Sequence, residues 1–230
     1  MIPRTLHQFW TNFDPPHDPP RDVAKVMEVT RRRFQGWEYH LWNSETVEDL
    51  LDSMPEYLEI FRRVKIPAMK SDLARILVLH EFGGMYLDAS SYPRYEDSAQ
   101  QFLGETDPSI VVAESFENSE VLMNRIVACE AGHACFRSIL ETSFQAVADS
   151  IESGQESIDV WGLTGITPSN ELASRSETIP GLRRLTIEEV LTWFMRESCD
   201  YKNTPLGNWN VLQTGNYFPV YDRATESIRS

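Results

Sequence analysis

The sequence is short of the features that mark secreted, membrane-spanning or nucleic-acid-binding proteins. It has only three cysteines, Cys129, Cys135 and Cys199, an odd number without framework spacing. That favours a reducing compartment, the cytoplasm by default, over a secreted disulfide scaffold. No run approaches the ~20 apolar residues of a membrane span, and the opening MIPRTLHQFW enters a strand-like pattern rather than a signal-peptide core. Membrane contact is expected to be peripheral at most. Positive charge is scarce as well: 21 Lys and Arg against 35 Asp and Glu give a formal net charge of -14. Nonspecific attraction to nucleic acid or to an anionic bilayer is disfavoured, so any bound phosphate must be met by local cations. The patterns GxSxG, GxGxxG, HExxH and the P-loop do not occur, which removes the usual signals of serine hydrolases, dinucleotide oxidoreductases, zincins and P-loop kinases. His133 lies between Cys129 and Cys135, but without a paired C-x-x-C or a fourth ligand these thiols read as structural rather than zinc-binding.

What is present is a chain with 41 % hydrophobic residues, enough at 230 residues to bury a sizeable core. One domain over 1–230 is expected, with about 199–230 as a C-terminal tail or lid rich in aromatics. IPRTLHQFW (2–10) reads as a first strand, and TNFDPPHDPP, with four prolines within six residues, as a stiff loop. A helix over 21–35, a strand at 37–42, a helix capped by Ser44 through about Met54 and a further helical piece after Pro55 follow. Pro67 opens the strongest helix, AMKSDLARILVLHEF, with Met69, Leu73, Ile76, Leu77 and Leu79 on an apolar side and Gly83-Gly84 as its stop. MYLD and Ile110 to Ala113 read as strands, 137–152 as an amphipathic helix, and Thr167-Pro168 as another helix start. This alternation predicts an α/β fold, a mixed, mainly parallel sheet of Rossmann-like type flanked by helices. Ligands in such sheets gather beyond the carboxyl ends of the strands, which singles out Trp10 and Asp88.

The candidate chemistry lies around these ends. Asp72 and Arg75, three apart on a helix, share a face; alone they read as a surface ion pair. Thirteen residues on, Asp88 ends a strand on which Tyr86 and Asp88 point to one face and Met85 and Leu87 to the other. A carboxylate there, followed by Ala89, Ser90 and Ser91, suits a divalent cation or a ribose hydroxyl, though on Asp88 alone a turn cap is an equal reading.

Taken together, KSDLAR followed by LHEFGGMYLDAS resembles the donor-site signature of glycosyltransferases with the DXD sugar-binding region: the family-32 mannosyl- and galactosyltransferases and the related large clostridial toxins. The openings IPRTLHQFW, WGLTGITPSNELA and SEVLMNRIVACEAGHACF are similar to further parts of the family pattern. The resemblance implies a GT-A type fold and a nucleotide-sugar donor, UDP- or GDP-linked, with a carbohydrate acceptor. It implies that Gln8, Phe9 and Trp10 border the nucleobase, although plain core packing is the competing reading for Trp10. Asp72 and Arg75, with Ser71 and Tyr86 beside them, would bind the donor sugar, a carboxylate accepting where a guanidinium donates in a fixed fork. Asn208 and Trp209 would close a late loop over the diphosphate; for Trp209, an anchor for the tail is the competing reading.

The same resemblance implies Mn²⁺ or Mg²⁺, held at Asp88 and at the third motif position. Here that position is Ser90, a neutral oxygen in place of a carboxylate. Weak coordination by Ser90 is the favoured expectation, with a substitute acid such as Asp97 or Glu114, or cations such as Lys70, as alternatives. The resulting expectation is a hexosyltransferase acting with retention of anomeric configuration. A weakened binding module and a protein-glycosylating effector remain as alternatives.

Overall fold

The first strand, β1 (Thr5–Phe9), is buried along its whole length, which fits a position inside a sheet rather than at its edge. The computed structural model describes residues 1–115, 121–154, 157–165, 178–204, 207–214 and 221; the Thr167-Pro168 helix start lies outside them. Beside β1 run β2 (Glu38–Trp42) and β3 (Gly84–Leu87), both parallel to it. β5 (Ile110–Glu114), β6 (Leu122–Cys129) and β7 (Leu182–Leu185) complete a six-stranded sheet in the order β2-β1-β3-β6-β5-β7. β6 is antiparallel to both of its neighbours, and the other strands share one direction. The mixed, mainly parallel sheet expected from the sequence is therefore present. A small second sheet pairs β4 (Ser91–Pro93) with β8 (Phe194–Arg196) antiparallel; the sequence reading had no counterpart for it.

Helices cover both faces. On one lie α2 (Ser44–Leu51), α3 (Pro55–Arg63), α4 (Pro67–Phe82) and α6 (Ala134–Glu152), packed against Phe9, Tyr86, Ile110, Val112 and Val127. The other carries α5 (Ser98–Leu103) and α7 (Ile187–Trp193) against Leu6, Met85, Leu87, Val111 and Ala113. Alternate residues of β3 and β5 thus enter opposite cores, as a period of two demands. Helix α1 (Arg21–Arg33) packs against β4 and lends Val23, Val26 and Met27 to a third cluster with Ala89 and Cys199. None of the three cysteines is in a disulfide.

Two local expectations are corrected. Asn43, not Ser44, caps α2: its side chain accepts from Thr46 N, and the Thr46 hydroxyl accepts from Asn43 N at 2.9 Å. The Ser44 hydroxyl is drawn inward instead, 2.6 Å from that of Thr11, and the helix ends at Leu51 rather than near Met54. Nor does α4 bury one side only. Met69 and every residue from Asp72 to Leu79 are buried, because the helix is wedged between the sheet and α6.

The turn that returns α4 to the sheet depends on its glycines. Gly83 and Gly84 have φ of 63° and 90°, and a Cβ on Gly84 would lie 2.5 Å from the Thr5 carbonyl oxygen. Gly84→Ala is expected to lower stability by about 2 kcal/mol or more in urea denaturation, since strained backbone and backbone overlap coincide.

His7 records the same junction. Its Nε2 contacts the Gly83 carbonyl at 2.8 Å, and the Trp42 indole donates to its Nδ1 at 3.1 Å, a pairing that only the neutral Nε2–H ring completes. Burial lowers its pKa from 6.5 to about 4, His40 adding to the fall while the Gly83 bond and Glu38 oppose it. A base held neutral in the fold and free to ionise in the unfolded chain stabilises the fold above pH 6.5; that stability drains as pH falls towards 4. The gap corresponds to about 3 kcal/mol. Denaturation at pH 7 and pH 4.5 is expected to show a steeper loss for the wild type than for His7→Gln.

Candidate active site

Helix α4 and strand β3 bring three of the expected residues into one hydrogen-bonded chain. Asp72 and Arg75 lie one helical turn apart, and the glycine turn lays β3 beside the helix so that Asp88 follows its last residue. Arg75 Nη1 donates to Asp72 Oδ1 at 2.6 Å, and Nη2 donates to Asp88 Oδ1 at 2.8 Å. The guanidinium lies 4.5 Å from the centre of the Tyr86 ring. The expectation of a surface ion pair fails here, since the Arg75 and Asp72 side chains are only 6 % and 10 % exposed. Two further residues complete the arrangement. Asn124 of β6 donates to Asp72 Oδ1 at 3.0 Å, and Thr164 donates to Oδ2 at 3.1 Å from a single π-helical turn, Trp161–Gly165. Sequence reasoning marked both segments by family pattern without singling out either residue, because a neutral side chain carries no signal until its buried partner is known.

The electrostatics follow from burial. Desolvation pushes the Asp72 carboxyl up to about 6 against the pull of Arg75. Burial alone would lower the Arg75 pKa, but Tyr86, Asp88 and Asp72 outweigh it and the guanidinium stays charged. Tyr86 is pushed up to about 12, first by burial, and its hydroxyl pairs with that of Ser71 at 3.0 Å. Ser71 and Tyr86 therefore form the floor of the Arg75 site. Asp88, by contrast, is one-third exposed and is the carboxylate of the group that a ligand can reach.

The residues after Asp88 do not form a divalent-cation site. Asp88 N–H donates to the Arg125 carbonyl at 2.9 Å, and Gln8 Nε2 and Ser91 N–H donate to its own carbonyl at 3.4 and 2.8 Å. Its Oδ1 is occupied by Arg75. Ser90 is buried, and its hydroxyl accepts from Lys202 Nζ at 3.1 Å, so an ammonium lies where the expectation of weak coordination puts a metal. A cation already seated on a neutral oxygen, beside one shared carboxylate, is a poor donor set for Mn²⁺ or Mg²⁺. No group of three or more His, Cys, Asp or Glu among the described residues is arranged to hold a metal. The substitutes considered are engaged elsewhere: Glu114 with Arg184 at 3.2 Å, Asp97 with Gln101 at 3.4 Å, and the Lys70 ammonium 4.8 Å from the Phe61 ring centre.

At the carboxyl end of β1, the three expected residues separate. Phe9 is a core residue, and Gln8 is fully buried, accepting from the Tyr39 hydroxyl at 2.9 Å while it holds the Asp88 carbonyl. Only Trp10 reaches open space. It lines a cavity of about 390 Å³ with the proline-rich segment, Leu41, Asn43 and Glu45, and meets Tyr201 edge-on with ring centres 4.9 Å apart. Asn208 spends its amide oxygen on Asn210 N–H at 3.1 Å at the start of α8 (Trp209–Leu212). The Trp209 side chain lies outside the described part of the structure.

Residues 20–99 match the family profile described as glycosyltransferase sugar-binding region containing DXD motif. An uncharacterized glycosyltransferase of Acanthamoeba polyphaga mimivirus is 27 % identical over 146 residues, 63 % of this chain and 56 % of the relative. Inositol phosphoceramide mannosyltransferase 1 of Schizosaccharomyces pombe is 26 % identical over 91 residues, 38 % of this chain and 27 % of that protein. The chain thus matches little more than half the length of the first relative and about a quarter of the second. In structure it is similar to the ligand-free glycosyltransferase domain of the YGT toxin, with a TM-score of 0.54 at 9 % identity over 82 % of each chain, a likeness of fold alone. The Asp72–Arg75–Asp88 chain therefore sits within the segment, 20–99, that matches the DXD-containing glycosyltransferase sugar-binding profile, on a GT-A type fold.

Proposed function

We propose that the protein transfers a hexose from a UDP- or GDP-linked sugar to a carbohydrate acceptor, with retention of anomeric configuration. The observation that carries this reading is the Asp88 carboxylate, held by Arg75 at the carboxyl end of β3 and still one-third exposed. Asp88 accepts hydrogen bonds from donor hydroxyls, Arg75 fixes its orientation, and Asp72, itself held by Asn124 and Thr164, anchors Arg75. The nucleobase enters the cavity beside Trp10, next to the ends of β1 and β2. Residues 199–204 act as a lid, since Tyr201 and Lys202 already reach Trp10 and Ser90. The mannosyltransferase name of the fungal relative supports hexose transfer; too little of that protein is matched for its acceptor to carry over.

In the reaction, the bond between the anomeric carbon and the diphosphate oxygen breaks as the acceptor oxygen bonds to the same carbon from the side of departure. The acceptor proton passes to the released phosphate. Positive charge at the sugar and negative charge on the leaving group both develop in the transition state, so the protein contributes position and fixed charge rather than a nucleophile. A thermal-shift panel of UDP- and GDP-sugars tests the reading: one donor class is expected to raise the melting temperature. A panel in which no nucleotide sugar stabilises the protein overturns it; stabilisation without turnover would instead leave a binding module.

A further inference from the structure

Resting on the donor-site reading above, we propose that the positive charges of Lys202, Arg196 and Arg125 hold the donor diphosphate in place of a divalent cation. Each comes from a different element and each is tied by a hydrogen bond or strand pairing to the segment 88–91. Lys202, in a 3-10 turn (Asp200–Asn203), donates from Nζ to Ser90 Oγ at 3.1 Å. Arg196 stands opposite Ser91 in the β4–β8 pair, and the next residue donates its N–H to the Ser90 carbonyl at 2.8 Å. Arg125 of β6 accepts the Asp88 N–H on its own carbonyl at 2.9 Å.

This concentration of cations runs against the composition of the chain, whose formal net charge is -14. The three sit close enough to act on one another. Burial and then Arg196 lower the Lys202 pKa while Asp88 raises it; burial lowers that of Arg125 to about 10, Asp88 opposing and Arg196 adding to the fall. Asp72 and Asp88 are shared with the buried Arg75, and the Arg125 Nε–H is spent on Met123 Sδ at 3.4 Å. Glu197, Asp22 and Asp200 act with Lys202 on the neighbouring Cys199, so acids border the group as well. Among the described residues Lys202 makes one side-chain hydrogen bond, to Ser90, and no ion pair, which leaves its other ammonium protons for an incoming anion. An anion that joins these cations gains their attraction at a partly desolvated site. A nucleotide sugar brings one negative charge on each phosphate, at the point where the leaving group must be stabilised.

Ser90 then has a positive role. A carboxylate at this position would pair with Lys202 and cancel it, whereas a hydroxyl accepts one ammonium proton and leaves the charge intact. Ser90 and the lysine 112 residues further on thus act as one unit.

Calorimetric titration with UDP and GDP, in excess EDTA and again with Mn²⁺, tests this directly. The nucleotide that binds is expected to do so with dissociation constants within about threefold in the two conditions, and Lys202→Ala to weaken it about tenfold or more in EDTA. Arg196→Gln, on an exposed side chain where folding is not at risk, is expected to weaken binding about threefold and to flatten its salt dependence. Binding that vanishes in EDTA and returns with Mn²⁺, or variants that bind as the wild type does, would overturn the inference while leaving the donor site standing. No binding of either nucleotide in any condition would overturn both.

Discussion

Arg75→Met is expected to destabilise the protein by about 3–5 kcal/mol, the largest loss from any single change in the site. The guanidinium spends one donor on Asp72 and another on Asp88, and lies over Tyr86. Removing it leaves the Asp72 carboxylate buried with only Asn124 and Thr164 to meet its charge. Hydrogen bonds from two neutral groups do not offset the desolvation of an ion, so the cost is that of an uncompensated charge rather than of a lost contact. Urea denaturation measures it. Asp72→Asn combined with Arg75→Met is expected to recover part of the loss, because no lone charge is then buried. Arg62, whose 2.7 Å bond to Glu48 is on the surface with a side chain 57 % exposed, is the control; Arg62→Met is expected to leave the midpoint unchanged.

The contrast between these two arginines shows what the sequence could and could not convey. Both stand three or four residues from potential partners on helices, and spacing alone makes them equivalent. The α4 helix, its proline start, the Gly83-Gly84 stop and the strand after it were legible because each depends on local backbone rules: a fixed φ at N1 and positive φ at the glycines. The depth of α4 was not. Asp72 and Arg75 interrupt its apolar pattern, so periodicity predicts one buried side, yet the pair neutralises itself and the whole turn sinks between sheet and α6. Asn43 and Ser44 are adjacent residues with equal capping chemistry; the choice fell to Thr11, whose hydroxyl holds Ser44 from β1's exit.

Long-range partners were the least legible part of the site. Lys202 lies in a short polar turn with no periodicity, and only the folded chain brings it to Ser90. The same is true of β4 and β8, strands of three residues each whose pairing joins segments about a hundred positions apart. At β1, alternation could place Gln8 and Trp10 near the strand's end but not distinguish a residue that supports the Asp88 carbonyl from one that lines a cavity.

Asp88 is where fold and chemistry meet, and Asp88→Asn separates them. The side chain keeps its shape and the backbone bonds to Arg125, Ser91 and Gln8 do not involve it, so the fold is expected to survive with little change in melting temperature. What disappears is the negative charge that Arg75 orients towards the donor. Loss of one fixed group acting on charge in a transition state costs on the order of 100- to 1000-fold in rate. The direct measurement is the initial rate of nucleotide release from the stabilising nucleotide sugar, wild type against Asp88→Asn at matched folded concentration. A rate that drops by about two to three orders of magnitude in the folded variant is the outcome predicted; equal rates in the two proteins would contradict the placing of Asp88 at the donor site.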